Sequence, residues 1–161
     1  MKYRFYLLSL LLITLLSLRI FAQNDPETRA VSGYDAELAK KLGADEAGMK
    51  QYILVILKTG SNDANIKGKE REELFAGHMA NIERLGSQKK LAIAGPFGKN
   101  DLAFRGLYIF NVATVEQAQK LTESDPAIKA GIFETVLVPW YGSASLMATY
   151  EIHKKITKPA Q

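Results

Sequence analysis

A histidine interrupts an apolar stripe in the segment ELFAGHMANIERL, which spans residues 73–85. Leu74, His78 and Ile82 recur every four residues and Leu85 follows three later, so their side chains share one face of a predicted helix. Imidazole is the side chain that gains or loses a proton nearest neutral pH, which suits it to general acid–base catalysis. His78 is therefore a candidate catalytic residue, with a hydrogen-bonded core histidine as the alternative.

An aspartate before a proline is the second candidate. A carboxylate bonded to one imidazole nitrogen fixes the tautomer of the ring and stabilises the imidazolium. Asp125, in the segment SDPAIKAG, could do this for His78 if the two helices that carry them lie side by side. The alternative is structural, because an Asp-Pro step at a helix end is a common turn device.

Candidates for binding a substrate lie at the predicted strand ends. Arg105 could pair with an anionic substrate, or could be an ordinary solvated charge. Trp140 and Tyr141 could line a cleft, or could cap the core. The GPFG turn lacks the Lys-Ser/Thr ending of a phosphate-binding loop and opens no helix, so it is interpreted as a pocket wall. The residues of that wall are Gly95, Pro96 and Phe97.

No cofactor or metal site is predicted. The chain has two histidines and no cysteine, which excludes disulfides and thiolate ligands and leaves no paired spacing for zinc. Neither a Gly-x-Ser-x-Gly elbow nor a dinucleotide fingerprint is present. The second histidine, His153, is expected to be exposed on a terminal helix.

The elements that must position these residues occur in the order β-α-β-β-α-β. The compact solution is a ferredoxin-like α+β fold, an antiparallel sheet with both helices on one face and the third strand between the first two. Short helices are expected in addition near each terminus. The predicted strands cover residues 51–60, 90–98, 104–112 and 131–140, and the helices cover 69–88 and 114–125.

The strands are apolar on both faces, as in Ile53–Leu57, Leu107–Phe110 and Val136–Val138. A sheet with one solvated face should instead alternate apolar and polar residues. Since two helices can cover only one face, we expect the same sheet of a second subunit to cover the other in a homodimer. The alternative cover is the pair of terminal helices.

The first 22 residues have the layout of a secretory signal peptide. Basic residues (Lys2 and Arg4) precede an apolar run and then a small residue, Ala22. The run is shorter than the roughly 20 residues that span a membrane. We therefore expect an exported protein, periplasmic or secreted, from which this segment has been removed, with an uncleaved anchor as the alternative.

The net positive charge of the chain comes largely from that segment. It holds three of the 21 Lys and Arg residues and no acidic residue, so the remaining chain is close to neutral. No basic stripe interleaved with aromatic residues is present, and neither nucleic acid nor, after signal removal, a membrane is expected as a partner. The remaining length suits one domain with a core.

An ordered set of segments resembles the YCII-related (YciI-like) family over residues 50–142. The segments are YILVILKTG, HMANIERL, AGPFGKND, RGLYIFNV, SDPAIKAG and VPWYG. The resemblance implies a ferredoxin-like protomer that dimerises into an α+β barrel. It also implies a histidine–aspartate pair in a cleft, which falls on His78 and Asp125, and a Gly-Pro turn, which falls on Gly95 and Pro96. Related barrel families bind haem through a histidine, so iron ligation by His78 stays open as an alternative.

These expectations combine into a small exported enzyme that needs no cofactor and transfers a proton on a small molecule. Lyase, isomerase and hydrolase chemistry all suit a His–Asp pair. A non-catalytic dimeric binding module and a purely structural barrel are the alternatives. The predicted divisions of the chain are a signal peptide (1–22), an arm with a short helix (23–48), a YCII-like domain (49–142) and a helical tail (143–161).

Overall fold

The structure is a computed structural model that describes residues 33–158. The predicted signal peptide and residues 23–32 of the predicted arm lie outside the described residues. All the elements below belong to one compact unit that begins at Ala36. Within residues 33–158, no helix combines the length and the apolar character needed to cross a membrane.

In the described part of the chain, the helices and strands follow one another in the predicted β-α-β-β-α-β order, with additional short helices. The helices are α1 (Ala36–Leu42), α2 (Gly68–Ser87), α3 (Val115–Thr122), α4 (Pro126–Lys129) and α5 (Thr149–Ile156), and a 3-10 helix covers Ala144–Ala148. The strands are β1 (Met49–Thr59), β2 (Leu91–Pro96), β3 (Phe104–Phe110) and β4 (Phe133–Ser143). The predicted single helix before β4 is in fact two helices, because Asp125 caps a new one and Pro126 suits its first position.

The four strands form one antiparallel sheet in the order β2-β3-β1-β4. β3 lies between β1 and β2, so the predicted ferredoxin-like α+β fold is confirmed. The two proline-containing strands, β2 and β4, are the edges, where a missing backbone N–H disturbs the hydrogen-bond ladder least. Pro96 is the last residue of β2, so this strand is shorter than the predicted 90–98.

The main core lies between the sheet and the helices. Val55, Leu57 and Phe110 of the strands pack there against Leu85 and the partly buried Ile82 of α2. Both of these α2 residues belong to the predicted apolar stripe. The stripe therefore faces the sheet, and His78 is held within the same layer.

The opposite face of the sheet is also apolar and is only partly covered. Tyr52 and Ile109 are buried there, against Leu146 and Met147 of the 3-10 helix. Val136 and Val138 of β4 belong to the same face, because they pair with Ile56 and Leu54, yet they are 44% and 43% exposed. The C-terminal segment thus covers one end of this face and leaves the other end open.

Candidate active site

α2 places His78 near its middle, on the side that faces the sheet. The residue is only 8% exposed. The position before it is Gly77, where a β-carbon would lie 2.9 Å from Cγ of Pro126. The absence of a side chain at Gly77 therefore lets α4 approach α2 closely at the level of the histidine.

Asp125 is fully buried and caps α4. Its Oδ1 accepts hydrogen bonds from the backbone N–H groups of Ala127, at 3.0 Å, and Ile128, at 3.4 Å. An aspartate in this position satisfies donors that the first turn of a helix leaves unpaired. The turn function predicted as the alternative for Asp125 is thus carried out by one oxygen, which leaves the second oxygen for other partners.

The structure brings His78 and Asp125 together. Nδ1 of the imidazole lies 2.8 Å from Oδ2 of the carboxylate, within hydrogen-bond distance. Residues 47 positions apart in the chain meet because the bend between α3 and α4 directs Asp125 into the helix–sheet layer. The pair is inaccessible from most directions, since the histidine side chain is 10% exposed and the aspartate side chain 0%.

Two further donors contact the same carboxylate oxygen. The Tyr108 hydroxyl donates to Oδ2 at 3.0 Å and the Asn81 amide donates at 3.4 Å. Neither residue was predicted from the sequence. A signal existed for Asn81, because it lies three residues after His78 on a helix and so shares its face. A signal also existed for Tyr108, since a tyrosine hydroxyl in an apolar strand needs a buried partner.

These contacts keep the carboxyl group ionised. Burial raises the pKa of Asp125, but the hydrogen bond of His78 and its charge when it is protonated, with the bonds from Tyr108 and the Ile128 N–H, outweigh burial and hold that pKa below its ordinary value. Burial, followed by the charge of Asp125 and its hydrogen bond, raises the pKa of Tyr108 far above its usual range. Tyr108 is therefore a neutral donor and Asp125 a charged acceptor.

The ionised carboxylate determines the tautomer of His78. A carboxylate can only accept, so Nδ1 must carry the proton that lies between the two residues. The remaining nitrogen, Nε2, is then the atom that can take up or release a proton. The Tyr108 oxygen lies 3.2 Å from Nδ1 and 3.4 Å from Nε2, between the two nitrogens, and its own proton is committed to Asp125.

Aromatic rings border the imidazole on its other sides. The ring centroid of Phe133 lies 5.3 Å from that of His78, and the centroid of Phe75 lies 6.0 Å away. The Arg105 guanidinium carbon lies 5.9 Å from the Phe133 centroid, and that of Arg71 lies 5.0 Å from the Phe75 centroid. Of the predicted binding residues, Arg105 is the one connected to the pair through a shared neighbour.

The predicted pocket wall lies at the end of β2. Gly95 and Pro96 pair with Leu107 and Gly106 of β3. Phe97 is 41% exposed and its ring packs against Phe104, with 5.8 Å between the centroids. This wall is therefore at the same end of the sheet as Arg105. The ring of Phe97 contacts Phe104 and not His78.

The structure does not bring Trp140 or Tyr141 to the pair. Trp140 pairs with Tyr52 and packs against its ring on the opposite sheet face. Tyr141 lies eight residues, about 25 Å, further along β4 than Phe133, and its hydroxyl donates to Asp45. Strand alternation explains the result for Trp140, which lies on the face opposite Phe133, whereas Tyr141 shares the face of Phe133 and is too far along the strand to reach the histidine.

A separate cavity of about 450 Å³ lies between the C-terminal half of α2, β2 and α5. α5 forms one side of it, with the Thr149 hydroxyl donating to the Ala92 carbonyl and the Tyr150 ring packed where Gly86 lacks a side chain. His153, exposed as predicted, stands at its rim. Neither member of the His–Asp pair lines this cavity.

Among residues 33–158, no group of three His, Asp or Glu side chains is arranged to hold a metal ion. The fold and the site together define a ferredoxin-like α+β protein with a buried His–Asp pair between its helices and its sheet. The chain belongs to the YCII-related family, because the family model for the YCII-related domain matches residues 51–140, which include both members of the pair. The resemblance inferred from the sequence is confirmed.

The proteins that are similar to this chain include the following two. The uncharacterized protein YjpA of Bacillus subtilis (strain 168) is 27% identical over 92 residues, which cover 57% of this chain and 95% of that protein. The structure of 5-chloro-2-hydroxyhydroquinone dehydrochlorinase (TftG) from Burkholderia phenoliruptrix AC1100, in complex with 2,5-dihydroxybenzoquinone, is similar with a TM-score of 0.39 and 24% identity. That similarity covers 55% of this chain and 92% of the TftG chain.

Proposed function

We propose that this protein is an enzyme that transfers a proton on a small molecule, with His78 as general acid–base and Asp125 as the residue that orients it. The observation that carries this proposal is the 2.8 Å contact between Nδ1 and Oδ2. The carboxylate also accepts hydrogen bonds from Tyr108 and the Ala127 N–H, which favour its ionised form, so it can hold the imidazole in one tautomer without taking its proton.

In the proposed reaction, Nε2 of neutral His78 accepts a proton from the substrate or, in a hydrolysis, from the water molecule that attacks the substrate. The imidazolium that forms is stabilised by the adjacent Asp125 carboxylate, and the proton is returned to a second atom of the substrate or to a leaving group. No protein group changes its net protonation over the cycle, so lyase, isomerase and hydrolase outcomes are all balanced. A positioned acid–base group of this kind contributes roughly 10²–10⁴-fold to the rate.

The test begins with the discovery of a ligand. Metabolite mixtures are screened for thermal stabilisation of the protein, and each stabilising compound is then incubated with the enzyme in D₂O. We expect proton NMR to show loss of a substrate C–H signal or formation of a product. The substitution His78→Asn keeps a side-chain donor for Asp125 but has no proton-transfer nitrogen, and we expect it to abolish this change while the protein stays folded.

His153→Asn is the matched control, because it removes the exposed histidine of α5 and should leave turnover unchanged. Equal turnover by the wild type and His78→Asn would contradict the catalytic role. A ligand that binds and is never converted by the wild type would favour the non-catalytic binding module. A large fall in melting temperature of His78→Asn, with activity retained, would favour a purely structural histidine.

We further propose that the protein is a homodimer through the exposed sheet face. Val136 and Val138 keep more than two fifths of their surface exposed on an otherwise apolar face. The same face on a second copy would cover them symmetrically.

We also propose that the protein is exported and that residues 1–22 are removed. The charged start and the short apolar run support this. Mass spectrometry of the periplasmic or extracellular protein should find a mature form that starts near Gln23, and an intact Met1 in that fraction would refute it.

A further inference from the structure

A β-bulge changes the direction of Arg105. Leu57 of β1 pairs with Gly106, whereas the next residue, Lys58, pairs with Phe104, so Arg105 is an extra residue in β3. In a regular strand it would lie on the same face as Leu107, opposite His78. Its contacts with Phe133 and Asp63 show that it instead reaches the helix side of the sheet. Bulges of this kind redirect side chains beside active sites.

The guanidinium of Arg105 is only loosely held. Nη1 lies 3.4 Å from Oδ2 of Asp63, and the side chain is 38% exposed. The other oxygen of Asp63 belongs to Arg71, at 2.7 Å, which also donates to the carbonyls of Asp63 and Ile66. Arg71 is thus fixed by several hydrogen bonds to the loop that contains Asp63 and Ile66. Arg105 has one long contact to Asp63, and part of its guanidinium is exposed to solvent.

The local charge is positive. One carboxylate, Asp63, faces two guanidinium groups, and its pKa is lowered by the Arg71 hydrogen bond, against burial, with further help from the charges of Arg71, Arg105 and Lys67. Asp63 therefore stays ionised but cannot balance all the positive groups around it, and Arg105 is the more exposed of the two arginines. Arginine presents a planar fork that matches a carboxylate with two parallel hydrogen bonds.

An aromatic surface connects this charge with the proton-transfer site. The Phe133 ring is a neighbour of both the imidazole, at 5.3 Å, and the Arg105 guanidinium, at 5.9 Å. Phe75 packs edge-on against Phe133 and also borders His78. Phe133 is only 5% exposed, so it supports this arrangement from below. A molecule held by Arg105 would therefore contact the partly exposed ring of Phe75 in the direction of His78.

We propose, as an extension of the proposed function, that the substrate is a small organic carboxylate whose anionic group binds Arg105 and whose apolar part lies against the partly exposed ring of Phe75. Arg105 is then the residue that determines specificity for anions, separate from the proton transfer at His78. The bulge is the structural device that places it on the reactive side of the sheet.

The test uses matched pairs of probes, namely benzoate, cinnamate and pyruvate with their primary amides, in saturation-transfer NMR. We expect the wild type to bind at least one acid, with the binding weakened by added salt, and to bind its amide roughly tenfold less tightly because the charged hydrogen bonds are missing. Arg105→Met should lose this preference for the acid, and Arg105→Lys should retain part of it. Lys120→Met, which removes an exposed charge on α3, is the control and should bind as the wild type does.

His78→Asn separates this proposal from the proposed function, because it should bind the acid as well as the wild type even though it cannot transfer a proton. Once a substrate is known, Arg105→Met should raise KM, whereas His78→Asn should lower kcat. Equal affinity for acids and amides across the panel, or an unchanged preference in a folded Arg105→Met protein, would overturn the proposal.

Discussion

Gly77 lies directly against the ring of Pro126, so closely that a β-carbon at position 77 would stand 2.9 Å from the proline Cγ. Each of these residues adjoins one member of the buried pair, since Gly77 precedes His78 and Pro126 follows Asp125. This close approach between α2 and α4 is therefore one residue from the Nδ1–Oδ2 contact. A glycine in the middle of a long helix, otherwise unfavourable, is explained by this approach.

The substitution Gly77→Ala should separate the pair. Alanine favours the helix by about 1 kcal/mol, but its methyl group must displace the proline ring and with it Asp125. We expect these effects to offset one another in urea unfolding, while turnover falls and the His78 Nδ1–H signal in proton NMR shifts upfield. Gly98→Ala, where a β-carbon meets nothing within 4 Å, is the control. An unshifted Nδ1–H signal would show that the close contact between Gly77 and Pro126 does not determine the distance between His78 and Asp125.

Asp125→Asn should lower stability in a pH-dependent way. The pKa of Asp125 in the folded protein lies below its ordinary value of 3.8, so the ionised group stabilises the fold above about pH 4 and this contribution disappears as the pH falls through the lower folded pKa. Asparagine still caps α4 but loses the charge beside His78. We expect a loss of about 1–3 kcal/mol at pH 7, shrinking toward pH 2.

The comparison of wild type and Asp125→Asn isolates this residue. Other carboxyls with lowered pKa values, such as Asp63, affect both proteins equally and cancel in the difference. Asp101→Asn, in an exposed turn, should show no such trend. A stability difference that is constant from pH 7 to pH 2 would mean that Asp125 does not act through its charge.

Tyr108→Phe should weaken the support of Asp125 and leave the packing intact. The hydroxyl donates to Asp125, whereas the ring packs against Phe110 with 5.4 Å between the centroids. Because this hydrogen bond lowers the pKa of Asp125, its removal should raise that pKa toward 3.8, as followed by carbon NMR of the carboxyl group. The stability loss should be about 1.5–3 kcal/mol, as for a hydrogen bond to a charged group.

Tyr52→Phe is the control for that experiment. It removes a hydroxyl that donates to the Ser143 carbonyl on the other side of the sheet. Stability should fall there too, but the pKa of Asp125 should not change. If both variants leave that pKa unaltered, the Tyr108 hydroxyl does not contribute to the charge state of the site.

Val138→Lys should prevent dimerisation. Val138 lies opposite Leu54 on the open part of the second sheet face, and a lysine there would place a charge in the proposed interface. Light scattering at micromolar concentration should give twice the chain mass for the wild type and the monomer mass for the variant. Lys120→Glu, on the helix side, should remain dimeric. A monomeric wild type would contradict this prediction and would show that the C-terminal segment alone covers this sheet face sufficiently.

The strand order could be predicted from the sequence because it follows from few physical rules. Apolar runs of strand length alternate with helical periodicity, and chain connectivity then allows one compact antiparallel sheet. The meeting of His78 and Asp125 could be anticipated only through the family resemblance. Their separation in the chain leaves no local pattern that would join them.

Other parts of the site could not be predicted because they depend on exact register. Side chains of a strand that is apolar on both faces give no alternation to show that Tyr108 faces the helices. A single-residue bulge then reverses the expected side of Arg105. The four-residue α4 is too short to show a helical period, so the cap role of Asp125 was open until the fold was known.

The packing of α5 along β2 also affects the tendency of the protein to aggregate. β2 is an edge strand, and the unpaired backbone groups of an edge invite another chain to add a strand. The Thr149 hydroxyl occupies the Ala92 carbonyl, and the Tyr150 ring secures the helix against α2. α5 lies outside the residues that the family model matches. In this chain, α5 therefore covers part of the β2 edge of the sheet. Loss of α5 would expose β2 to pairing with strands of other molecules, and so to aggregation.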